Sequence, residues 1–345
     1  MTTNGGVMKG RNLFVIGSPR SGTTLLMRML NVHPEILSRP EPHLLTPLAS
    51  LGYYKTVDKA SYDPFQAQLA VRGFVADLPG GEETYVRALR AYTDTMYGEM
   101  LADTDKTVFL DKTPAYALEL PFLAKLYPDA IFVVLTRHPF AIFSSFAKSF
   151  FDDDWPAAHT FNPVVERYLP AIATFLRDPP AGNTVHVRYE DLVADPHAQL
   201  RRICATANLD YTADMVEYGE VTVEAGGLGD PIGVNKATRP NTASVNKWAH
   251  AVAHNNARTT LLHKMVASIS DEDLSTWGYD RESLWAPVAE VDDATAMRAQ
   301  NKARKWDRYS VERRTLLFLR RNIHKNLLGR VLKRLRFILD VLLRE

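Results

Sequence analysis

The sequence is short of cysteine and of long apolar runs. Its 345 residues include one cysteine, Cys204, so the chain cannot form an internal disulfide, and such usage is typical of a reducing compartment. No stretch reaches the roughly 18 consecutive apolar residues of a membrane-spanning helix, and the opening residues MTTNGGVMKGRN lack the apolar core of a signal peptide. The composition, 46% hydrophobic and 23% charged, is that of a globular protein. We therefore expect a cytoplasmic protein.

The net charge of +1 is unevenly distributed along the chain. Residues 302–345 contain 14 Lys and Arg against 4 Asp and Glu, a net charge of +10, whereas the other 301 residues contain 27 against 36, a net charge of −9. This division indicates an acidic body with a basic appendage. An acidic body argues against non-specific binding of nucleic acid, so we expect no nucleic-acid partner.

Short apolar runs alternate with segments of helical period. Strands are predicted at residues 13–16, 107–110, 130–136 and 184–187, and helices at residues 23–31, 83–102, 117–127, 140–151, 163–176 and 196–207. Because the strands are nearly continuous apolar runs, the pattern predicts an α/β fold in which helices cover both faces of a central parallel sheet. Ligands bind such sheets beyond the carboxyl ends of the strands. Three polar segments lie at such ends: residues 17–24, 111–114 and 137–145.

The segment GSPRSGTT, residues 17–24, has the spacing of a phosphate-binding loop, G-x-x-x-x-G-K-[ST], with threonine in place of the lysine. Backbone N–H groups at the start of the following helix, together with the helix dipole, favour an oxyanion. A guanidinium and two hydroxyls add charge and donors. The residues predicted to bind this anion are Ser18, Pro19, Arg20, Ser21, Gly22, Thr23 and Thr24.

Arg137 and Ser145 form a second candidate anion site. Arg137 follows the predicted strand 130–136, and Ser145 lies nearly two turns into the next helix, with Ser144 as the alternative hydroxyl. A nucleotide kinase would need the missing lysine and an acidic magnesium ligand after a later strand, and the sequence offers no convincing metal ligand. The pattern predicts that two phosphate-like groups bind without a metal. The alternative is a metal-dependent small-molecule kinase of the P-loop type.

These segments resemble the sulfotransferases that use PAPS, 3′-phosphoadenosine 5′-phosphosulfate. The resemblance is carried by SPRSGTT (residues 18–24), residues 136–145 and VRYEDLVADP (residues 187–196), and it extends from about residue 12 to about residue 250. FLDKTPAY (residues 109–116) and GLGDPIG (residues 227–233) are similar to the bacterial carbohydrate- and lipid-type branch. We expect a P-loop-like catalytic domain over residues 1–284, followed by a linker and a helical tail over residues 285–345.

The resemblance implies PAPS as the sulfuryl donor, PAP (3′-phosphoadenosine 5′-phosphate) as the product, and no metal. Arg20 and the rest of the loop would bind the 5′-phosphosulfate, and Arg137 with Ser145 would bind the 3′-phosphate. The absence of the lysine is then explained, because the donor has no γ-phosphate and needs no magnesium.

Residues 226–243 form a Gly- and Pro-rich stretch, and the resemblance implies that this stretch is a lid over the site. Asn246, Lys247 and Trp248 would close over the 3′-phosphate and the adenine. A tryptophan at a helix start is more often a core residue, so both interpretations of Trp248 stay open. The roles of residues 189–190, in VRYEDL, also stay open between structural and substrate-adjacent.

Glu41, flanked by two prolines that restrict its backbone, resembles the glutamate that is the general base of related carbohydrate and tyrosylprotein sulfotransferases. His43 is the alternative base, because imidazole titrates near neutrality. Lys112, in DKTP, would reach the sulfonate or the bridging oxygen; the alternative is a surface lysine paired with Asp111. Arg20 is the other candidate for stabilising the transferring group.

The C-terminal segment predicts a basic amphipathic helix. From Leu316 onward apolar residues recur at intervals of three or four, and Lys and Arg fill much of the remaining face. Such a helix is typical of a membrane surface, here the inner face of the plasma membrane, and residues 314–345 would supply the contact. The alternatives are packing on the acidic body or on a second subunit. With a membrane contact, the hydroxylated acceptor could be a lipid-linked sugar or another amphiphile.

We predict that truncation of the chain before Arg314 releases the protein from liposomes that contain anionic lipid, because the truncation removes both the apolar stripe and most of the positive charge. Co-sedimentation of the full and truncated chains with anionic and with neutral liposomes measures this effect. Unchanged sedimentation of the truncated chain would exclude the tail as a membrane element.

Overall fold

The computed structural model describes residues 10–39, 41–55, 63–180, 183–220 and 238–291, together with residues 331, 334 and 335. The motif at residues 227–233, most of the predicted lid and nearly all of the predicted tail lie outside the described residues. Among the helices that are described, none has the length and apolar character needed to cross a membrane.

Five strands and fourteen α-helices make up the described part of the chain. The strands are β1 (Arg11–Ile16), β2 (Ile36–Ser38), β3 (Val108–Asp111), β4 (Ile131–Thr136) and β5 (Thr184–Arg188). The helices are α1 (Thr23–Asn31), α2 (Thr46–Ala49), α3 (Pro64–Ala76), α4 (Gly81–Ala102), α5 (Leu120–Leu126), α6 (Pro139–Phe151), α7 (Trp155–Phe161), α8 (Val164–Arg177), α9 (Tyr189–Ala194), α10 (Pro196–Ala207), α11 (Ala249–Val252), α12 (Asn256–Ala267), α13 (Asp271–Trp277) and α14 (Ala286–Ala289).

The strands form one sheet in the order β2-β3-β1-β4-β5, and every neighbouring pair is parallel. The predicted parallel sheet is therefore confirmed. The sequence analysis missed β2, because a strand of three residues, ILS, is too short to show a periodicity. The central strand β1 has β3 on one side and β4 on the other, so the carboxyl ends of these three strands lie side by side at one edge.

Alternate residues of the strands supply two separate cores. Phe14 and Ile16 of β1 belong to the core beneath α4, α5, α6 and α8, whereas Leu13 and Val15 belong to the core beneath α1, α9 and α10. This alternation is the ordinary consequence of successive side chains that point to opposite faces of a strand. The result is the predicted three-layer arrangement, with helices on both faces of the sheet.

The predicted helix at 117–127 is wrong at its start. The chain instead forms a 3₁₀ turn over Pro114–Leu118, leaves helical geometry at Glu119, and begins α5 at Leu120. The physical reason is Pro121, which belongs in the first turn of a helix and disfavours helical geometry in the residue before it. The helix predicted at 196–207 has the same bounds in the structure.

Candidate active site

The loop between β1 and α1 makes a tight turn that depends on two glycines. A Cβ atom on Gly17 would lie 2.6 Å from Ser21 Oγ, and one on Gly22 would lie 2.5 Å from the Tyr189 ring. Gly22 also has a φ of 102°, which favours glycine. The Ser18 carbonyl closes the turn, because it accepts hydrogen bonds from Ser21 N at 3.1 Å and from Ser21 Oγ at 2.8 Å. Since α1 begins without a side-chain cap, its first N–H groups can bind an anion.

The two arginines predicted to bind phosphate lie together. Arg137 follows β4, and its Nη1 donates to the backbone carbonyl of Arg20 at 3.1 Å. Arg20 has a φ of 72°, and its Nε donates to Ser145 Oγ on α6 at 3.1 Å. The loop after β1 and the segment after β4 therefore lie side by side and line one cationic pocket.

Arg137 is a buried cation that lacks an anionic partner in the described part of the chain. Its side chain is 8% exposed, and no described carboxylate lies within 4.0 Å of the guanidinium. Nη2 donates to the Ser244 carbonyl at 3.0 Å, but Nε is buried and has no hydrogen-bond partner among the described residues. Burial lowers the pKa of Arg137. A buried guanidinium in this state is stabilised by a bound anion.

Tyr189 joins the loop to the arginine. The Arg137 guanidinium lies 4.2 Å from the centre of its ring, which is a cation–π contact, and the same ring packs against Gly22. The Tyr189 hydroxyl shares a hydrogen bond of 2.6 Å with Ser244 Oγ. Tyr189 therefore packs beneath the pocket and contacts each of its walls.

The backbone that follows β4 is held by buried hydrogen bonds. Trp277 Nε1 donates to the Arg137 carbonyl at 2.8 Å, and the next amide, His138 N, donates to Glu190 Oε1 at 3.1 Å. The other oxygen of Glu190 accepts from the Tyr279 hydroxyl at 2.5 Å. These bonds fix the direction in which the Arg137 side chain leaves the sheet.

The segment after β3 brings a lysine and a glutamate to the other side of the loop. Lys112 Nζ lies 2.5 Å from Glu41 Oε1 and 3.4 Å from Thr24 Oγ1, and the lysine side chain is 1% exposed. His43 Nε2 lies 3.8 Å from Glu41 Oε2 and is more exposed. Both Glu41 and His43 have positive φ values, 21° and 52°. The cation, the carboxylate and the imidazole thus form one cluster beside the start of α1.

Asp111 does not pair with Lys112, so the alternative reading of Lys112 as its surface partner is wrong. The Asp111 carboxylate points to the opposite face of the sheet, where Oδ2 accepts from the hydroxyls of Tyr97 at 2.7 Å and Tyr116 at 3.0 Å. Its Oδ1 accepts from Thr113 Oγ1 at 3.0 Å. Burial raises the pKa of Asp111 to about 6.

Comparison with known proteins decides the family. A family model described as "Sulfotransferase family" matches residues 12–213. The chain belongs to the sulfotransferase family. Nodulation protein NoeE of Sinorhizobium fredii is 31% identical over 215 residues, which are 57% of this chain and 50% of NoeE. Protein-tyrosine sulfotransferase 1 of Danio rerio is 22% identical over 254 residues, which are 68% of this chain and 65% of that protein.

A solved structure has the same fold as this chain. The sulfotransferase domain from the curacin biosynthetic pathway has a TM-score of 0.51 and 21% identity, and the superposition covers 75% of this chain and 96% of that domain. The predicted fold and the resemblance to the family are thereby confirmed. The chain spans half the length of NoeE, the first of these relatives.

The three residues predicted to close over the nucleotide differ in their burial. Asn246 and Lys247 are exposed. Trp248 is 3% exposed and stacks on His138 with ring centres 4.5 Å apart. The interpretation of Trp248 as a core residue is therefore the correct one, because the ring is buried in the core and stacks on His138.

The sequence analysis left the role of Tyr189 open and missed Ser244, whose carbonyl and hydroxyl contact Arg137 and Tyr189. Tyr189 follows β5, the strand beside β4, so its position at a strand end agrees with its contacts beside the loop. No pattern pointed to Ser244. Among the described residues, no group of three or more His, Cys, Asp and Glu side chains is arranged to hold a metal ion.

We predict that His138 makes the fold sensitive to acid. Its Nδ1 caps α6 by accepting from Phe140 N at 3.3 Å, and burial lowers its pKa from 6.5 to about 3. The unfolded chain therefore binds a proton below pH 6.5 that the folded chain excludes, so stability falls as the pH falls. At pH 5 the loss is about 2 kcal/mol relative to pH 7, at about 1.4 kcal/mol per pH unit. Chemical denaturation at several pH values measures it.

The control for this prediction is His138→Asn, which can still cap the helix but does not titrate. Asp111 acts in the opposite direction, because its raised pKa makes the folded chain bind a proton as the pH falls towards 4. The difference between wild type and variant isolates His138. An equal pH dependence of the two proteins would contradict the prediction.

Proposed function

We propose that the chain transfers a sulfuryl group from PAPS to a hydroxyl group of a sugar, a glycolipid or another alcohol. The observation that carries the proposal is the meeting of Arg20 and Arg137 around one glycine-containing loop, with a buried guanidinium that no described carboxylate contacts directly. Membership of the sulfotransferase family supports the reaction class.

The residues present fit a nucleotide with phosphates at both ends. The loop N–H groups and Arg20 would bind the 5′-phosphosulfate, and Arg137 with Ser145 would bind the 3′-phosphate. The contact between Arg137 and the Arg20 carbonyl supports this proposal, because a single ligand requires the two groups of residues to be close together. A threonine, Thr23, replaces the lysine of a nucleoside triphosphate loop, which suits a donor without a γ-phosphate. We propose that donor binding needs no metal.

In the proposed reaction the acceptor hydroxyl attacks the sulfur in line with the bond to the 5′-phosphate. An oxygen–sulfur bond forms, the bond between sulfur and the bridging oxygen breaks, and PAP leaves with the added negative charge. Glu41 accepts the hydroxyl proton. Lys112 lies between Glu41 and Thr24, so its ammonium can stabilise negative charge on the transferring group, together with Arg20.

His43 is the competing base. It lies 3.8 Å from the second oxygen of Glu41, and its side chain is 38% exposed, against 16% for Glu41. The carboxylate supports the proposal better, because Glu41 contacts the buried Lys112 and is thereby tied to the loop. A proton on Glu41 can pass to His43 and from there to solvent.

The proposal extends to the chemical class of the acceptor and to the location of the reaction. Protein-tyrosine sulfotransferase 1 is named for a hydroxyl acceptor, and NoeE is named as a nodulation protein. For this chain we propose a hydroxylated acceptor in the cytoplasm, lipid-linked when residues 314–345 hold the protein at the inner face of the membrane.

We predict that PAP binds with a micromolar or lower Kd that EDTA does not change, and that ATP binds much more weakly. Calorimetric titration with PAP, ATP and AMP, with and without EDTA, measures this. Magnesium-dependent binding of ATP in preference to PAP would indicate a kinase instead.

Arg137→Ala should weaken PAP binding by about 10- to 100-fold, because loss of a charged hydrogen bond costs about 1.5–3 kcal/mol. Adenosine 5′-phosphosulfate, which lacks the 3′-phosphate, should lose far less affinity.

We predict that Glu41→Gln lowers the rate of transfer from labelled PAPS by about 10²- to 10⁴-fold, the usual contribution of a general base, and leaves the Kd for PAP unchanged. His43→Gln is the matched control and should keep most of the activity. In this assay, fractionated extracts of the source cell supply the acceptor. Loss of activity in His43→Gln, with activity kept in Glu41→Gln, would make His43 the base.

A further inference from the structure

Tyr116 carries a hydrogen bond that the proposed reaction does not use. Its side chain is 1% exposed, and its hydroxyl accepts from the backbone amide of Leu45 at 3.0 Å. Leu45 lies two residues after His43 and four after Glu41. The bond therefore connects a buried side chain of the 3₁₀ turn after β3 to the segment that carries the proposed base.

Asp111 fixes the orientation of this hydroxyl. Because Asp111 Oδ2 accepts the Tyr116 proton at 3.0 Å, the lone pairs of the phenolic oxygen are left to face the Leu45 amide. Asp111 is itself 1% exposed and is held by two further hydroxyls, those of Tyr97 and Thr113. The Tyr116 oxygen is thus anchored to β3 and not to a mobile side chain.

The same strand end supplies both contacts of the base segment. Asp111 and Lys112 are consecutive and point to opposite faces, as neighbours in a strand do. Lys112 reaches Glu41 from one face at 2.5 Å, and Asp111 acts through Tyr116 on Leu45 from the other. The end of β3 therefore holds the segment at two points, one on each side of His43.

The backbone between those two points is strained. Glu41 and His43 have φ values of 21° and 52°, which non-glycine residues rarely adopt, and such conformations persist where the surrounding contacts impose them. A hydrogen bond from a buried anchor to Leu45 N is a contact of this kind.

We propose that Tyr116 is a positioning residue that holds the 41–45 segment so that the Glu41 carboxylate stays against Lys112. The inference rests on the proposed function, in which Glu41 is the base. Without the Tyr116 oxygen the segment relaxes, the carboxylate leaves its position, and the reaction slows while donor binding is preserved. Displacement of a reacting group by about 1 Å costs about 10²-fold in rate.

The test compares Tyr116→Phe with Tyr97→Phe. Each change removes one buried hydroxyl that donates to Asp111 Oδ2, so the two variants lose the same kind of bond. Tyr116 alone of the two also accepts from Leu45 N. Tyr97→Phe is therefore a matched control for the loss of stability, and thermal unfolding of both variants checks that they fold.

For Tyr116→Phe we expect kcat to fall by about 10- to 100-fold with an unchanged Kd for PAP, and for Tyr97→Phe we expect kcat within about threefold of wild type. Hydrogen–deuterium exchange of the peptide that contains Leu45 should speed up in Tyr116→Phe and stay unchanged in Tyr97→Phe. This second measurement needs no acceptor.

Equal losses of kcat in the two variants, or unchanged exchange at Leu45 in Tyr116→Phe, would overturn the inference. Failure of the proposed function has a different signature, because a wild-type chain that neither binds PAP nor transfers label from PAPS refutes the function by itself. In that case the exchange experiment still decides whether Tyr116 anchors the segment.

Discussion

The site depends on a positive charge that is largely removed from solvent. Arg137 is buried at the end of β4, with no described carboxylate in contact, and it is held by the carbonyls of Arg20 and Ser244 and by the ring of Tyr189. A charge in this position costs free energy unless an anion joins it. The same hydrogen bonds that hold Arg137 also fix the backbone of the loop at Arg20. These contacts would preorganise the pocket for the proposed anion and so reduce the ordering that ligand binding requires.

The sheet divides the proposed chemistry between its neighbouring strands. β1 supplies the loop in the centre, β4 supplies Arg137 on one side, and the end of β3 supplies Lys112 on the other. Phosphate recognition and proton removal are consequently assigned to opposite sides of one loop. Lys112 bonds to both halves, since it contacts Thr24 in the first turn of α1 and also Glu41. Lys112 is buried, so movement of Glu41 away from it would leave a buried cation without its carboxylate partner.

The sequence predicted the features that depend on residues close together in the chain, which are the strands and the loop after β1. Apolar runs located four of the five strands, and the spacing of Gly17, Gly22 and Thr24 located the loop. Contacts between distant segments could not be predicted in this way. The Tyr189 ring reaches Arg137 across 52 positions of sequence, and Tyr116 reaches Leu45 across 71. The adjacency of Asp111 and Lys112 was misleading, because neighbours in a strand point to opposite faces, and Asp111 instead accepts from hydroxyls on the far side of the sheet.

The two halves of the site differ in how firmly they are held. The phosphate half consists of a glycine loop, a helix start and a buried arginine, so most of its contacts involve backbone or buried atoms. The base half is a short segment with two positive φ values, in contact with Lys112 and with Tyr116. Because side chains and not the loop backbone hold this segment, substitution of Tyr116 or Lys112 would move it with less effect on the loop after β1. Under the proposed function the acceptor approaches from the side of Glu41, so changes in that segment would alter the choice of acceptor before they alter donor binding.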